Sequence, residues 1–164
     1  MSIKLPKYIT FDEAVKIIKN TDNLNHKVAF TLGFFCGLRI SEVTNLKPED
    51  VNLDTRELFI RQSKNDKDRY VPIPKPVLPA LRYLPITIGN RALQQAINTQ
   101  SEKLIGRKIH FHTLRHSSAT HYMNMGIDIN YLQRFLGHSD LSTTMVYTHI
   151  NPKRMREKIL GCWE

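Results

Sequence analysis

Apolar residues fall at helical spacing along most of the chain and alternate in only one segment. Thr10 with Glu13 three positions on reads as a capping box, and behind it Phe11, Ala14, Val15 and Ile18 mark one apolar face. Beyond the polar TDNLN, residues from about 26 to 36 are apolar nearly all round. That pattern predicts a central helix, with Gly37 placed to end it. A short helix is expected from Ser41 to Leu46, with Ser41 as its candidate cap. Residues 57–61 and 69–73 change period and read as two strands joined by the polar SKNDKD, with VNL at 51–53 as a candidate third. Prolines at 72, 74, 76 and 79 confine this part to a sheet edge or exit. Helices follow at about 92–104, 113–124, 130–136 and 141–147, punctuated by Gly106, Gly126 and Gly137. In the tail, Asn151 is a candidate cap, Pro152 suits a first turn, and Met155 and Ile159 can share a stripe.

The pattern is thus one of helices around a 57–73 hairpin, without internal repeats, low-complexity segments or an interdomain linker. A length of 164 residues fits one domain with one core. Charge changes the picture more. Twenty-four Lys and Arg against 15 Asp and Glu give +9, which points to nucleic acid or an anionic surface, although solubility alone also favours net charge. Two cysteines, Cys36 in an apolar run and Cys162 near the end, argue against a disulfide framework and for a reducing, intracellular setting. No apolar run approaches the ~18 residues of a membrane span, and MSIKLPKYIT has no apolar signal core, so no membrane partner is expected.

Candidate chemistry lies in a series of polar residues: Arg39, Lys64, His112, Arg115, His138 and Tyr147. Together they suit an attack on a phosphodiester by a phenolic oxygen, which needs a nucleophile, cationic clamps and a proton donor. His112 and Arg115 are three apart in HTLRH, so one helical turn directs both to one side. Alternatively, Arg115 meets a carboxylate and His112 caps its helix. Arg39 follows Gly37, and Glu42 is placed to brace Arg39 or Arg115. Lys64 sits in the expected hairpin turn with Lys67 and Arg69 beyond it; a solvated polar turn is the plain alternative. His116 and His121 read as structural or surface residues. Gly137 allows a tight turn that exposes His138, and Tyr147 follows nine residues later, as a nucleophile or as a core residue of an amphipathic helix. No H-E-x-x-H, paired CxxC, P-loop or G-x-S-x-G is present, so neither a metal nor another cofactor is expected.

The motifs GLRISE, SKNDKDRYVPI, HTLRHSSATH, LGHSDLSTT and YTH, in this order, resemble the tyrosine recombinases of the phage-integrase family, most of all their Xer-like catalytic domains. That resemblance implies a mainly α fold with a small antiparallel β-sheet. It makes Tyr147 the nucleophile of a 3′-phosphotyrosyl link, and Arg39 and Arg115 the grips on the scissile phosphate. Lys64 matches the hairpin lysine that protonates the departing 5′ oxygen. His112 matches the first histidine of the family's active site, His138 the later position that hydrogen-bonds the phosphate, and Glu42 the acidic residue that helps organise the site. Lys67, Arg69 and their neighbours are then expected along a basic face on double-stranded DNA. The implied function is site-specific recombination or integration, without metal or ATP, by a tetramer on DNA that is a monomer or dimer without it. An accessory DNA-binding module and a topoisomerase-like nicking and rejoining enzyme are the alternatives. A helix-turn-helix regulator is the rival fold, but it leaves Tyr147 and Lys64 unexplained. Family members are longer and carry an N-terminal helical DNA-binding domain. Residues 1–164 are therefore expected to be a single catalytic domain without it, with a tail at 151–164 that can pass between protomers. The stretch between VPIP and HTLRH is also shorter than is usual in the family.

Overall fold

Thr10 and Glu13 close a reciprocal cap at the start of α1 (Phe11–Lys19). The Glu13 N–H donates to Thr10 Oγ1 and the Thr10 N–H to Glu13 Oε1, each at 3.1 Å. Ala14 and Ile17 are buried on its inner face. The computed structural model describes residues 8–61, 67–137 and 152–164. Lys64, His138, Tyr147, Asn151 and the helix expected at 141–147 lie outside the described residues.

Helix α2 (Leu24–Phe35) starts where Asn23 Oδ1 accepts the His26 N–H at 3.1 Å. Every residue from Val28 to Phe35, Thr31 included, is buried, as the nearly all-round apolar pattern predicts. Each fully buried phenylalanine or leucine here contributes about 1.5–3 kcal/mol over an exposed one. Helix α5 (Phe111–Asn124) lies along α2, close enough that a Cβ on Gly33 would stand 2.8 Å from Phe111 Cζ.

Helix α3 (Ile40–Asn45) begins one residue before the expected start, and its cap is Arg39 rather than Ser41. The reason is Glu42: its Oε1 accepts the Arg39 N–H at 2.8 Å, leaving Ser41 exposed. A turn of 3-10 helix (Pro48–Asp50) leads to the sheet. There β1 (Val51–Asn52), β2 (Glu57–Ile60) and β3 (Arg69–Pro72) pair antiparallel in that order, with Leu58 opposite Val71 and Phe59 opposite Tyr70. Leu58, Ile60 and Val71 face the core, while Tyr70 is exposed.

A 3-10 run (Lys75–Tyr83), absent from the sequence expectation, packs on α2. Helices α4 (Asn90–Ile105), α6 (Ile129–Leu136) and α7 (Pro152–Gly161) complete the described fold, which is mainly helical with one small antiparallel sheet. Met155 and Ile159 of α7 are both buried, and Arg156 meets Glu57 of β2 at 2.6 Å. Past α7, Trp163 Nε1 donates to the Tyr122 hydroxyl at 2.9 Å, which donates to the Phe35 carbonyl oxygen at 2.7 Å. The tail thus docks on its own core. No described helix is long and apolar enough to cross a membrane.

Candidate active site

The site is built where α2 ends. Gly37 has φ +62°, a backbone conformation that residues with a Cβ adopt at a cost, and it turns the chain from α2 toward α3. Its carbonyl oxygen accepts Arg115 Nη1–H at 2.8 Å, and the Leu136 carbonyl at the end of α6 accepts Nη2–H at 2.6 Å. Arg115 is only 2% exposed. Two carbonyls from separate elements therefore fix the plane of a buried guanidinium, which lysine could not match.

Arg39 stands two residues beyond Gly37 at the N-cap of α3, with its side chain 30% exposed. Its Nη1 lies 3.6 Å from Glu42 Oε2. Glu42, whose side chain is 4% exposed, is held more closely by Arg69: Nη1–H donates to Oε2 at 2.6 Å and Nη2–H to Oε1 at 3.1 Å. Such a fork is the strong geometry for an arginine and a carboxylate. The Nε–H of Arg69 completes the set by donating to the Phe135 carbonyl oxygen at 3.2 Å.

His112 lies one helical turn before Arg115 on α5, with the His116 ring edge-on at a centroid distance of 4.3 Å. Partial burial of its ring, then the positive charges of His116, Arg115 and Arg39, hold its pKa below the ordinary 6.5. His112 does not cap its helix; His110 occupies that position, and its N–H donates to Thr113 Oγ1 at 3.3 Å.

Among the sequence candidates, Arg39, Glu42, His112 and Arg115 gather in one neighbourhood. Lys64, His138 and Tyr147 lie outside the described residues. Lys67 is exposed, whereas Arg69 turns inward to Glu42 and Phe135 instead of lining a surface. Gly137, with φ +71°, ends α6 against Arg69; a Cβ there would stand 2.9 Å from Arg69 Cδ and Nη1. His121 joins the aromatic packing of Phe11, Phe34 and Trp163. An apolar groove of about 550 Å³ between α1, α2 and the 3-10 run includes none of the clustered residues. Chemically, the cluster is a set of cations and a neutral imidazole on braced backbone, suited to an anionic group with several oxygens.

The profile of the phage integrase family matches residues 7–154. The chain belongs to this family. Tyrosine recombinase XerA of Pyrococcus horikoshii is 39% identical over 173 aligned residues, covering 94% of this chain and 61% of that protein. The phage integrase family member described here thus spans about three fifths of the length of that relative. The crystal structure of a XerA recombinase superposes with a TM-score of 0.77 at 29% identity, over 95% of this chain and 65% of that one. The lambda integrase catalytic core shares the fold, with a TM-score of 0.66 at 19% identity, over 81% of this chain and 96% of that core.

Proposed function

We propose that this chain is the catalytic domain of a site-specific DNA recombinase or integrase, acting through a covalent 3′-phosphotyrosyl intermediate. The supporting observation is the convergence of Arg39 and Glu42 from GLRISE with His112 and Arg115 from HTLRH at the Gly37 turn. In this reading Arg39 and Arg115 hold the non-bridging oxygens of the scissile phosphate, with His112 and His138 as further donors. Charge that builds on the phosphorus oxygens in the transition state meets donors already in place. The Tyr147 oxygen gives up its proton to solvent and bonds to phosphorus as the bond to the 5′ oxygen breaks; Lys64 supplies the 5′ oxygen's proton and is reprotonated from solvent. Because the tyrosyl ester keeps the phosphodiester's energy, a 5′ hydroxyl can reverse the step without metal or nucleotide.

Double-stranded DNA is the proposed partner, and a tetramer on DNA the proposed assembly, with residues 151–164 able to pass between protomers. The similarity to the lambda integrase catalytic core over 81% of this chain supports its treatment as one catalytic unit. A nicked suicide duplex tests the reading in chelator without nucleotide. Wild type should be trapped covalently on the 3′ side of the break, and Tyr147→Phe should not. Retained adduct in Tyr147→Phe overturns the nucleophile assignment. DNA binding without any wild-type adduct overturns recombination in favour of an accessory binding module.

A further inference from the structure

We propose that Arg69 is a positioning residue, which occupies the Glu42 carboxylate and so keeps the Arg39 guanidinium from closing onto it. The inference rests on the reading of Arg39 as a phosphate-gripping arginine. Glu42 is nearly buried, and a buried carboxylate must be paired. Arg69 takes both of its oxygens, at 2.6 and 3.1 Å, while Arg39 Nη1 stands at 3.6 Å, beyond hydrogen-bond length. With Arg69 gone, Arg39 still stands beside that carboxylate, and a forked pair between them would draw its charge away from substrate.

A second set of contacts fixes where Arg69 itself stands. Its Nε–H holds the Phe135 carbonyl, and its side chain fills the space that a Cβ on Gly137 would need. The next carbonyl, Leu136, holds Arg115. Through Arg69, Glu42 and Arg39 are therefore referred to the same end of α6 that orients Arg115. A hairpin cation that looks like a DNA contact in the sequence acts within the protein as a spacer between charges.

The test compares wild type, Arg69→Ala, Arg69→Lys and the double variant Arg69→Ala/Glu42→Gln. Cleavage is read on a nicked duplex library with a randomised centre, and duplex binding as a function of salt. Arg69→Ala should slow single-turnover cleavage about a hundredfold, the cost of roughly 1 Å of misplacement. The salt dependence of binding should not change. Glu42→Gln in that background should recover about tenfold, because the neutral amide no longer captures Arg39. Phenylglyoxal labelling gives a readout without DNA: Arg39 should become protected in Arg69→Ala and reactive again in the double variant. A salt slope lower by about one in Arg69→Ala would make Arg69 a phosphate contact and overturn the proposal. Unchanged Arg39 labelling would overturn it too. Should Arg69→Ala not fold, Arg69→Lys decides: slower cleavage with a more protected Arg39 supports the proposal, and wild-type values in both overturn it. If wild type captures no strand, the recombinase reading fails, and the labelling still decides the role of Arg69.

Discussion

Arg115 Nη1–H donates to the Gly37 carbonyl oxygen at 2.8 Å, joining positions 78 residues apart in the chain. The same guanidinium also holds Leu136, so one side chain closes the α2–α3 turn against the end of α6. Arg115→Ala should therefore lose stability as well as cleavage. Two buried carbonyls left without a donor cost about 1–3 kcal/mol each. Arg115→Lys, able to reach one of them, should fall between. Denaturant melts measure the loss, and a melt of Arg115→Ala equal to wild type would mean that the two carbonyls are satisfied some other way.

Gly33→Ala tests the contact of α2 with α5. The added methyl would meet Phe111 Cζ at 2.8 Å and Leu114 Cδ1 at 3.2 Å. Overpacking of this kind costs about 1–3 kcal/mol. Phe111→Leu in the same background should relieve part of it, so the two substitutions should be non-additive in thermal unfolding. Strict additivity would place the strain elsewhere.

Protonation should oppose the fold. Partial burial lowers the pKa values of His26, His112 and His121 below 6.5, with neighbouring cations adding to the effect at His112. As pH falls, the unfolded chain binds protons first. The stability these residues contribute is thus fully present above 6.5 and is lost as pH drops through that value into the depressed range. Histidine ring NMR should show His112 titrating below an exposed histidine, and His116→Gln should move it upward by removing a like charge. An unmoved midpoint in His116→Gln would separate the two rings electrostatically.

Trp163 is the chain's one tryptophan, so its fluorescence reports the docking of α7. Its indole packs against Phe35 at 5.0 Å and donates to the Tyr122 hydroxyl. Ile159→Asp, which puts charge at a fully buried position, should shift the emission to the red and raise its quenching by acrylamide. Trp163→Phe should keep most of the packing and lose the hydrogen bond, worth about 1 kcal/mol. Emission from Ile159→Asp identical to wild type would show that the tryptophan's surroundings do not depend on α7.

Elements decided by near neighbours in the chain are legible in the sequence. The Thr10–Glu13 cap, the buried run of α2, the two strands of the 57–73 segment and the Met155–Ile159 stripe all follow from short-range pattern. The 3-10 run at Lys75–Tyr83 is not, because Pro76 and Pro79 read as chain exit until α2 gives the segment a surface to pack on. In the site, the spacing of His112 and Arg115 announces a shared helical face. Arg69 announces nothing of the kind. Its partners, Glu42 and Phe135, lie 27 positions before it and 66 after it, and only folding puts a buried carboxylate in reach. The same dependence explains Arg39 as the cap of α3, since the residue that does the capping is Glu42, pinned from outside the helix.

Phe11 and Trp163 stand 5.8 Å apart between ring centroids, although 152 positions separate them. Bringing such distant positions together carries a loop-closure entropy that grows with the logarithm of the separation, so this contact is the most expensive kind to make early. The α1–α2 aromatic surface, built from positions close in the chain, is therefore expected to assemble before the tail docks on it. On unfolding the order reverses, and hydrogen exchange in α7 should open at a lower free energy than in α2, through a local excursion that leaves the Gly37 turn intact.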